Sequence, residues 1–160
     1  MMARFSSGRS LAWAMGLVFL LIGAALAKEK PLPPQFKYAG GTENVYQGCE
    51  GNLELNPQAM IFKCLGGAIE VPYSAITLMQ YRSDISRKVR RMKVKWKVRP
   101  DDVAPVLGAK KNRFFTVVYQ IDGKPHIMVL RVQPQAMRPY LAELDLRVQQ
   151  RVEVQGYEEY

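Results

Sequence analysis

The stretch that decides the fold runs from Arg87 to Arg99 and reads RKVRRMKVKWKVR. From Met92 onward, apolar and basic residues alternate with a period of two. The apolar residues are Met92, Val94, Trp96 and Val98, and the basic ones are Lys93, Lys95, Lys97 and Arg99. A period of two is typical of a β-strand with one face on a core, whereas a helical pattern has a longer period. The sequence therefore predicts a strand that buries its apolar side chains and exposes a row of cations.

The same stretch carries a high density of positive charge. Its cations are Arg87, Lys88, Arg90, Arg91, Lys93, Lys95, Lys97 and Arg99. Neighbouring like charges repel one another unless salt, acidic groups or an anionic ligand screens them. Each cation near an anionic surface contributes about 1 kcal/mol, which in sum suffices for weak, salt-sensitive association. We therefore predict an anion-binding surface. The alternative is a solvated face whose lysines protect an edge strand from pairing.

The N-terminus has the features of an export signal. Arg4 and Arg9 precede an uncharged, largely apolar stretch at residues 11–24, and residues 25–27 read ALA, a typical cleavage pattern. We expect residues 1–27 to be a signal peptide that is removed from a periplasmic or secreted protein. The alternative is an uncleaved membrane anchor, because the uncharged stretch is at the short end of what spans a bilayer.

The charge balance of the exported part favours anionic partners. The chain has 23 basic and 14 acidic residues, and residues 1–27 contain two of the basic ones, so 21 − 14 gives +7 for the remainder. Such an excess favours phospholipid headgroups, acidic glycans or acidic proteins, and export argues against intracellular nucleic acid. The remaining length suits one domain with a substantial core.

Six further strands are predicted around the basic stretch. They are Gly51–Leu55, Ala59–Cys64, Ile69–Val71, Ile76–Tyr81, Phe114–Ile121 and His126–Val132. Turn signals at Asn56-Pro57 and at Asp122-Gly123 predict two hairpins, and a two-residue turn at the second sets Tyr119 opposite His126.

One helix is predicted after the strands, because apolar residues follow a helical spacing from Pro134 to about Gln150. No crossover helices separate the strands, which excludes a parallel βαβ arrangement. The expected fold is mainly β (β+α): a seven-stranded antiparallel barrel or bent sheet capped by one C-terminal α-helix.

The predicted domain covers residues 49–151 and has a segment on either side. Residues 28–48 contain three prolines and the pair Gly40-Gly41, so we expect an extended lead-in. Residues 152–160 form an acidic tail. As an alternative to an external anion, this tail could fold over the basic face and screen its charge.

Cys49 and Cys64 are the only two cysteines. In an exported chain we expect them to form a disulfide, which for a loop of about 15 residues contributes on the order of 3 kcal/mol. The alternative is a pair of buried thiols. Two thiols and one distant histidine are too few ligands for a metal site, so we predict neither a metal nor a cofactor.

No set of catalytic residues is evident. His126 is the only histidine, and its position opposite Tyr119 indicates a packed strand residue rather than a general base. No nucleophile elbow and no glycine-rich loop before a helix accompanies it. The sequence therefore predicts a protein that is not an enzyme.

The order of these elements, with GNLEL at residues 51–55 and IEVPYSAI at residues 69–76, resembles a bacterial pleckstrin-homology-like (PH/GRAM-like) domain in a small exported protein of unassigned function. The resemblance covers about residues 49–151. It implies a binding module without catalysis, which in some members holds a phosphorylated headgroup near the first strands. Here the cations come later in the chain, so no pocket residues are transferred.

The predicted function is an exported, non-catalytic binding module whose basic face contacts phospholipid headgroups or an acidic glycan. The alternative is a structural or assembly protein that binds another envelope protein through a strand edge. Neither a small-molecule substrate nor nucleic acid is predicted as a partner.

Overall fold

Eight strands form one open sheet in the part of the chain that the computed structural model describes, residues 33–99 and 113–155. The strands are β1 (Phe36–Gly41), β2 (Glu50–Leu55), β3 (Ala59–Cys64), β4 (Gly67–Pro72), β5 (Ile76–Arg82), β6 (Arg113–Ile121), β7 (Lys124–Val132) and β8 (Val152–Val154). Their order is β4-β3-β2-β1-β7-β6-β5-β8. All neighbours are antiparallel except β5 and β8, which are parallel.

The described residues also contain two helices and one short turn. They are α1 (Arg87–Arg90), α2 (Pro134–Arg147) and a 3₁₀ turn (Tyr73–Ala75). In the described ranges no helix is long and apolar enough to cross a bilayer. The predicted signal peptide, and the part of the predicted tail beyond Gln155, lie outside the described residues.

The mainly β fold with a helix near its C-terminal end is confirmed, but the seven-stranded antiparallel arrangement is wrong. The sheet has eight strands and is mixed. Two of its strands, β1 and β8, were not predicted, and the basic stretch is not one of them. The predicted helix is present, although it ends at Arg147 rather than near Gln150.

Strand β1 lies in the segment for which an extended lead-in is predicted. It pairs with β2 and β7 although it ends in Gly40-Gly41. Gly41 has φ +153°, and a Cβ there would lie 2.1 Å from the carbonyl oxygen of Ile127. The glycine is therefore required by a close approach between two strands, and it does not mark a flexible linker.

Both predicted hairpins are confirmed. β2 and β3 pair with Leu55 opposite Met60, across the Asn56-Pro57 turn. β6 and β7 pair with Tyr119 opposite His126. Asp122 and Gly123 both have positive φ, 50° and 71°, as a two-residue type I′ turn requires.

The predicted disulfide is also confirmed. Cys49 lies just before β2, Cys64 ends β3, and their Sγ atoms are bonded. Cys49 is fully buried in the core. The bond therefore links the beginning and the end of the β2–β3 hairpin on the side of the sheet that faces the core.

The sheet carries apolar residues on both faces of its central strands. On β6, Val117 belongs to a large inner core on which α2 packs, whereas the next residue, Val118, belongs to a smaller outer core. Side chains of successive strand residues point to opposite faces, so the two cores lie on opposite sides of the sheet. The buried residues of the outer core are Ala39, Leu78, Ile85, Val89, Phe114, Val118, Ile127 and Val129. This outer core is the surface on which the candidate site is built.

Candidate functional site

The basic segment, residues 87–99, crosses the outer core without joining the sheet. It begins as helix α1 and continues as an extended chain, so the prediction of a β-strand here is wrong. One bridge holds it to the sheet: Gly41 N–H donates to Val98 O at 2.9 Å, and Val98 N–H donates to Gly41 O at 3.2 Å. The strand pairing that the alternation suggested is therefore limited to one residue pair.

The backbone of the basic segment makes short local bonds instead of a ladder. Val94 N–H donates to Met92 O at 2.9 Å, and Trp96 N–H donates to Val94 O at 3.1 Å. Bonds between residues i and i+2 define γ-turns, which are compatible with an extended course of the chain. The central strands that the segment crosses already have a neighbour on each side, so they offer no free edge for pairing. The local bonds therefore satisfy the backbone groups of Val94 and Trp96 instead.

The alternation itself is present in the burial of the side chains. From Arg91 to Arg99 every basic residue is exposed, and each apolar residue between them is half-buried. Met92, Val94 and Trp96 pack against the outer core, whereas Val98 packs at the border of the inner core. The predicted division into an apolar side and a cationic side is thus correct, although the predicted secondary structure is not.

Helix α1 is oriented by hydrogen bonds that the sequence did not reveal. Ser86 caps it: its Oγ accepts a bond from Val89 N–H at 3.4 Å and donates one to Gln80 Oε1 at 2.6 Å. Gln80, which is buried on β5, also donates from Nε2 to Glu153 Oε2 at 2.6 Å. Val89 is fully buried in the outer core. These contacts fix the position of the helix and leave Arg87 and Lys88 exposed.

Of the eight predicted anion-binding cations, Arg90 has a structural role. Its Nε donates to the carbonyl oxygen of Ile85 at 2.7 Å, and its guanidinium lies 3.6 Å from Asp84 Oδ2. Asp84 also pairs with Arg82 at 3.3 Å. Arg90 therefore stabilises the turn before α1 and is less available to an external anion.

The other seven cations form no ion pair within the described ranges. They are Arg87, Lys88, Arg91, Lys93, Lys95, Lys97 and Arg99. Elsewhere on the surface, by contrast, Lys37 lies 3.1 Å from Glu50, and Lys63 lies 2.6 Å from Glu54. As far as the described residues go, the basic segment is consequently a strip of uncompensated positive charge beside regions where charges are paired.

A second polar cluster lies next to the bridge between Gly41 and Val98. His126 Nδ1 is 2.8 Å from Glu43 Oε1, and Thr42 Oγ1 donates to the same carboxylate oxygen at 2.9 Å. Tyr119 donates a further hydrogen bond to Glu43 and stacks on the His126 ring, with ring centroids 5.4 Å apart. The cluster joins the loop after β1 to the β6–β7 hairpin.

The electrostatics of this cluster favour an ionised Glu43. Burial alone would raise the pKa of its carboxyl group, but the hydrogen bonds from His126, Thr42 and Tyr119 outweigh that effect and lower the pKa below 4.5. Burial and the charge of Glu43 raise the pKa of Tyr119, which keeps this phenol neutral. The prediction that His126 is a strand residue opposite Tyr119 is confirmed. Its partner Glu43 was missed because nothing local links two residues so far apart in sequence.

Comparison with known protein families and with curated proteins found no match. The function proposed below therefore depends on the geometry of this chain alone.

Proposed function

We propose that this protein is a non-catalytic module that binds the surface of an anionic phospholipid membrane through the exposed side of the basic segment. The contacting residues are the seven cations named above, from Arg87 to Arg99 without Arg90. The observation that carries the proposal is the strict alternation of exposure along the segment: cations that pair with no described acidic residue face solvent, while Met92, Val94 and Trp96 hold the backbone on the outer core.

The distribution of the cations suits an extended surface better than one small anion. Lys93, Lys95, Lys97 and Arg99 recur at every second residue of an extended chain, so their charges spread along a line instead of converging on a point. A membrane offers many headgroup phosphates side by side, whereas a small anion is held by donors that converge on it. We therefore propose that the ligand is phospholipid rather than acidic glycan.

The strength of such binding follows from the number of contacts. At about 1 kcal/mol for each cation near an anionic surface, five simultaneous contacts give on the order of 5 kcal/mol. This corresponds to dissociation constants between about 1 mM and 1 μM. Salt screens such contacts, so binding is reversible and sensitive to ionic strength.

The fold also reduces the cost of binding. The bridge between Gly41 and Val98 and the packing of Met92, Val94 and Trp96 already order the backbone of the segment. Only the lysine and arginine side chains lose freedom when they meet the membrane.

Export and the relationship to PH-like domains are parts of the same proposal. The disulfide between Cys49 and Cys64 supports an oxidising compartment, in agreement with the N-terminal sequence. An open, mainly β sheet with one longer helix supports a PH-like relationship. The same fold class serves other functions, so the basic segment, and not the fold, carries the functional proposal.

Sedimentation with vesicles tests the proposal. Because the described residues all belong to one compact unit, we expect a chain that begins at Lys28 to keep their structure. We expect this chain to sediment with phosphatidylglycerol-containing vesicles at low salt and to be released from them at moderate salt. It should not sediment with neutral phosphatidylcholine vesicles. The combined substitution Lys93→Glu, Lys95→Glu and Lys97→Glu should lower the bound fraction at least tenfold.

A matched variant separates a local surface from net charge. Lys124→Glu, Arg138→Glu and Arg151→Glu together change the charge equally at exposed basic residues outside the segment, and this variant should keep most of the binding. Equal sedimentation of the parent and the segment variant would overturn the proposal, as would equal losses in both variants. Binding to a soluble acidic polysaccharide without binding to anionic vesicles would overturn the choice of phospholipid.

A further inference from the structure

Within the residues that the structure describes, strand β4 lies at one edge of the sheet. In the described part of the chain it pairs only with β3, through six consecutive residue pairs from Gly67↔Cys64 to Pro72↔Ala59. Edge strands of soluble proteins are commonly protected by lysines, internal prolines or bulges. β4 has no lysine, its one proline is its last residue, and its pairing with β3 shows no register shift. Its outer backbone groups are therefore suited to pairing with another strand.

The two faces of β4 differ sharply. Ile69 and Val71 are 4% and 0% exposed and belong to the inner core, whereas Ala68 and Glu70 are exposed on the opposite face. Leu65, in the turn before β4, is fully exposed. A strand that adds to this edge has to keep the apolar residues on the inner side and the polar ones on the outer side.

We propose that β4 pairs antiparallel with β4 of a second copy of this chain, in a two-fold symmetric dimer in which Ile69 lies opposite the partner's Ile69. The occupant of the edge is a second copy because the strand is self-complementary in this register. The proposal is independent of membrane binding by the basic segment.

The register follows from the alternation of side chains. Pairing all of Gly67–Pro72 would set Ile69 opposite the partner's Glu70, but directly opposite residues share a face, and these two belong to different faces. Shifting one strand by one residue relative to the other gives two symmetric registers. In the first, residues 67–71 of one strand pair with residues 71–67 of the other; in the second, residues 68–72 pair with residues 72–68. The second sets Glu70 opposite the partner's Glu70, where the carboxylates repel each other. The first, centred on Ile69, remains.

Charge complementarity supports the register centred on Ile69. It sets the partner's Glu70 opposite Ala68, and Ala68 is itself paired with Lys63 on β3. Adjacent strands are about 4.8 Å apart, so the Cα atoms of Lys63 and the partner's Glu70 are about 10 Å apart with only a methyl group between them. These side chains are long enough to meet over Ala68, and symmetry provides the contact twice. Lys63 can share its ammonium group between this carboxylate and its present partner Glu54.

The same register accounts for an exposed apolar residue. Leu65 precedes β4, so antiparallel pairing brings it beside the end of the partner's β4, near Pro72 and Tyr73. Tyr73 is half-buried, and its ring can cover a leucine side chain that is otherwise fully exposed. The dimer thus removes an apolar group from water in addition to completing backbone hydrogen bonds.

Disulfide trapping tests the register. We expect an equimolar mixture of Ala68→Cys and Glu70→Cys chains, each beginning at Lys28, to form a cross-linked heterodimer under mild oxidation. Ala68→Cys alone should remain largely uncross-linked, because the partner's residue 68 lies two positions away. Efficient cross-linking of Glu70→Cys alone would show the register centred on Glu70 and would overturn the proposed one.

Analytical ultracentrifugation tests the dimer itself. The chain should show a concentration-dependent monomer–dimer equilibrium that Glu70→Lys shifts at least tenfold toward monomer, because the substituted side chain would then place a second ammonium group against the partner's Lys63. Glu50→Lys makes the same charge change on β2, outside the proposed interface, and should leave the equilibrium within twofold. A monomer at every concentration, or a dimer that is insensitive to Glu70→Lys, would overturn the proposal. Either result would leave the vesicle test of the basic segment unaffected.

Discussion

His126 Nδ1 and Glu43 Oε1 lie 2.8 Å apart although 83 positions separate the two residues in the chain. The contact ties the loop after β1 to the β6–β7 hairpin. Glu43 is two residues beyond Gly41, which holds Val98 of the basic segment. This hydrogen-bonded contact thus lies beside the only bridge between the basic segment and the sheet in the described residues, and the ionisation of Glu43 affects the stability of this region.

Glu43→Gln should destabilise the protein in a pH-dependent way. The folded state lowers the pKa of Glu43 below 4.5, so its carboxylate stabilises the fold above about pH 5, and this contribution is lost as pH falls through the folded-state pKa. We expect the variant to lose about 1–2 kcal/mol at neutral pH, measured by urea unfolding, and less at about pH 3. Glu50→Gln, which removes an exposed ion pair, should cost less than about 0.5 kcal/mol. An equal loss for Glu43→Gln at both pH values would contradict this assignment.

Loss of the disulfide should destabilise the fold without abolishing it. Cys49 and Cys64 are 15 positions apart, and closing a loop of this size contributes on the order of 3 kcal/mol in the chain-entropy account. The double substitution Cys49→Ala and Cys64→Ala should lower the urea midpoint by about as much as adding a reductant to the parent chain. A reductant that leaves the midpoint of the parent unchanged would show that the bond adds no stability.

Trp96→Ala should loosen the basic segment from the outer core. Trp96 is half-buried against that core, so its truncation should cost about 1–2 kcal/mol. Trypsin should cleave the variant faster than the parent within residues 93–97, because the loosened segment reaches the protease more readily. Leu146→Ala, at an exposed leucine of α2, serves as the control and should not change cleavage in this segment. Identical cleavage patterns in the Trp96 variant and the parent would contradict the proposed anchoring.

Gln80 and Ser86 should behave as an energetically coupled pair. Removing the Ser86 cap costs about 1 kcal/mol, and removing Gln80 costs about 1–3 kcal/mol because it leaves the Ser86 hydroxyl and Glu153 without a buried partner. The double alanine variant should therefore lose clearly less stability than the sum of the two single variants. Additive losses in a double-mutant cycle of unfolding free energies would show that the two side chains act independently.

The basic segment shows how far an alternating pattern can be interpreted. The pattern correctly predicts which side chains of Met92–Arg99 face the core, because that depends on neighbouring residues. It does not reveal whether the backbone joins a ladder, because that depends on a free edge supplied by distant strands. β1 is neighbour to β2 and β7, so the segment crosses a face of the sheet instead of adding to it.

The two missed strands have different causes. β1 ends in a glycine pair that also fits a linker, and only the contact between Gly41 and Ile127 shows why glycine is needed there. β8 has three residues and pairs in parallel with β5, which leaves almost no periodic signal in the sequence. By contrast, the β6–β7 hairpin could be predicted with its register, because Asp122-Gly123 fixes the turn locally.

The position of the disulfide has a consequence for how the chain matures. Cys49 lies just before β2 and Cys64 ends β3, so under the proposed export the thiols can meet as soon as this short piece of polypeptide has crossed the membrane, before any later residue is available. Oxidation can then precede the long-range pairing of β1 with β7, which has to wait until the chain has emerged as far as Val132. The covalent closure therefore adds a local constraint to a sheet in which β1–β7 and β5–β6 pair across long stretches of sequence.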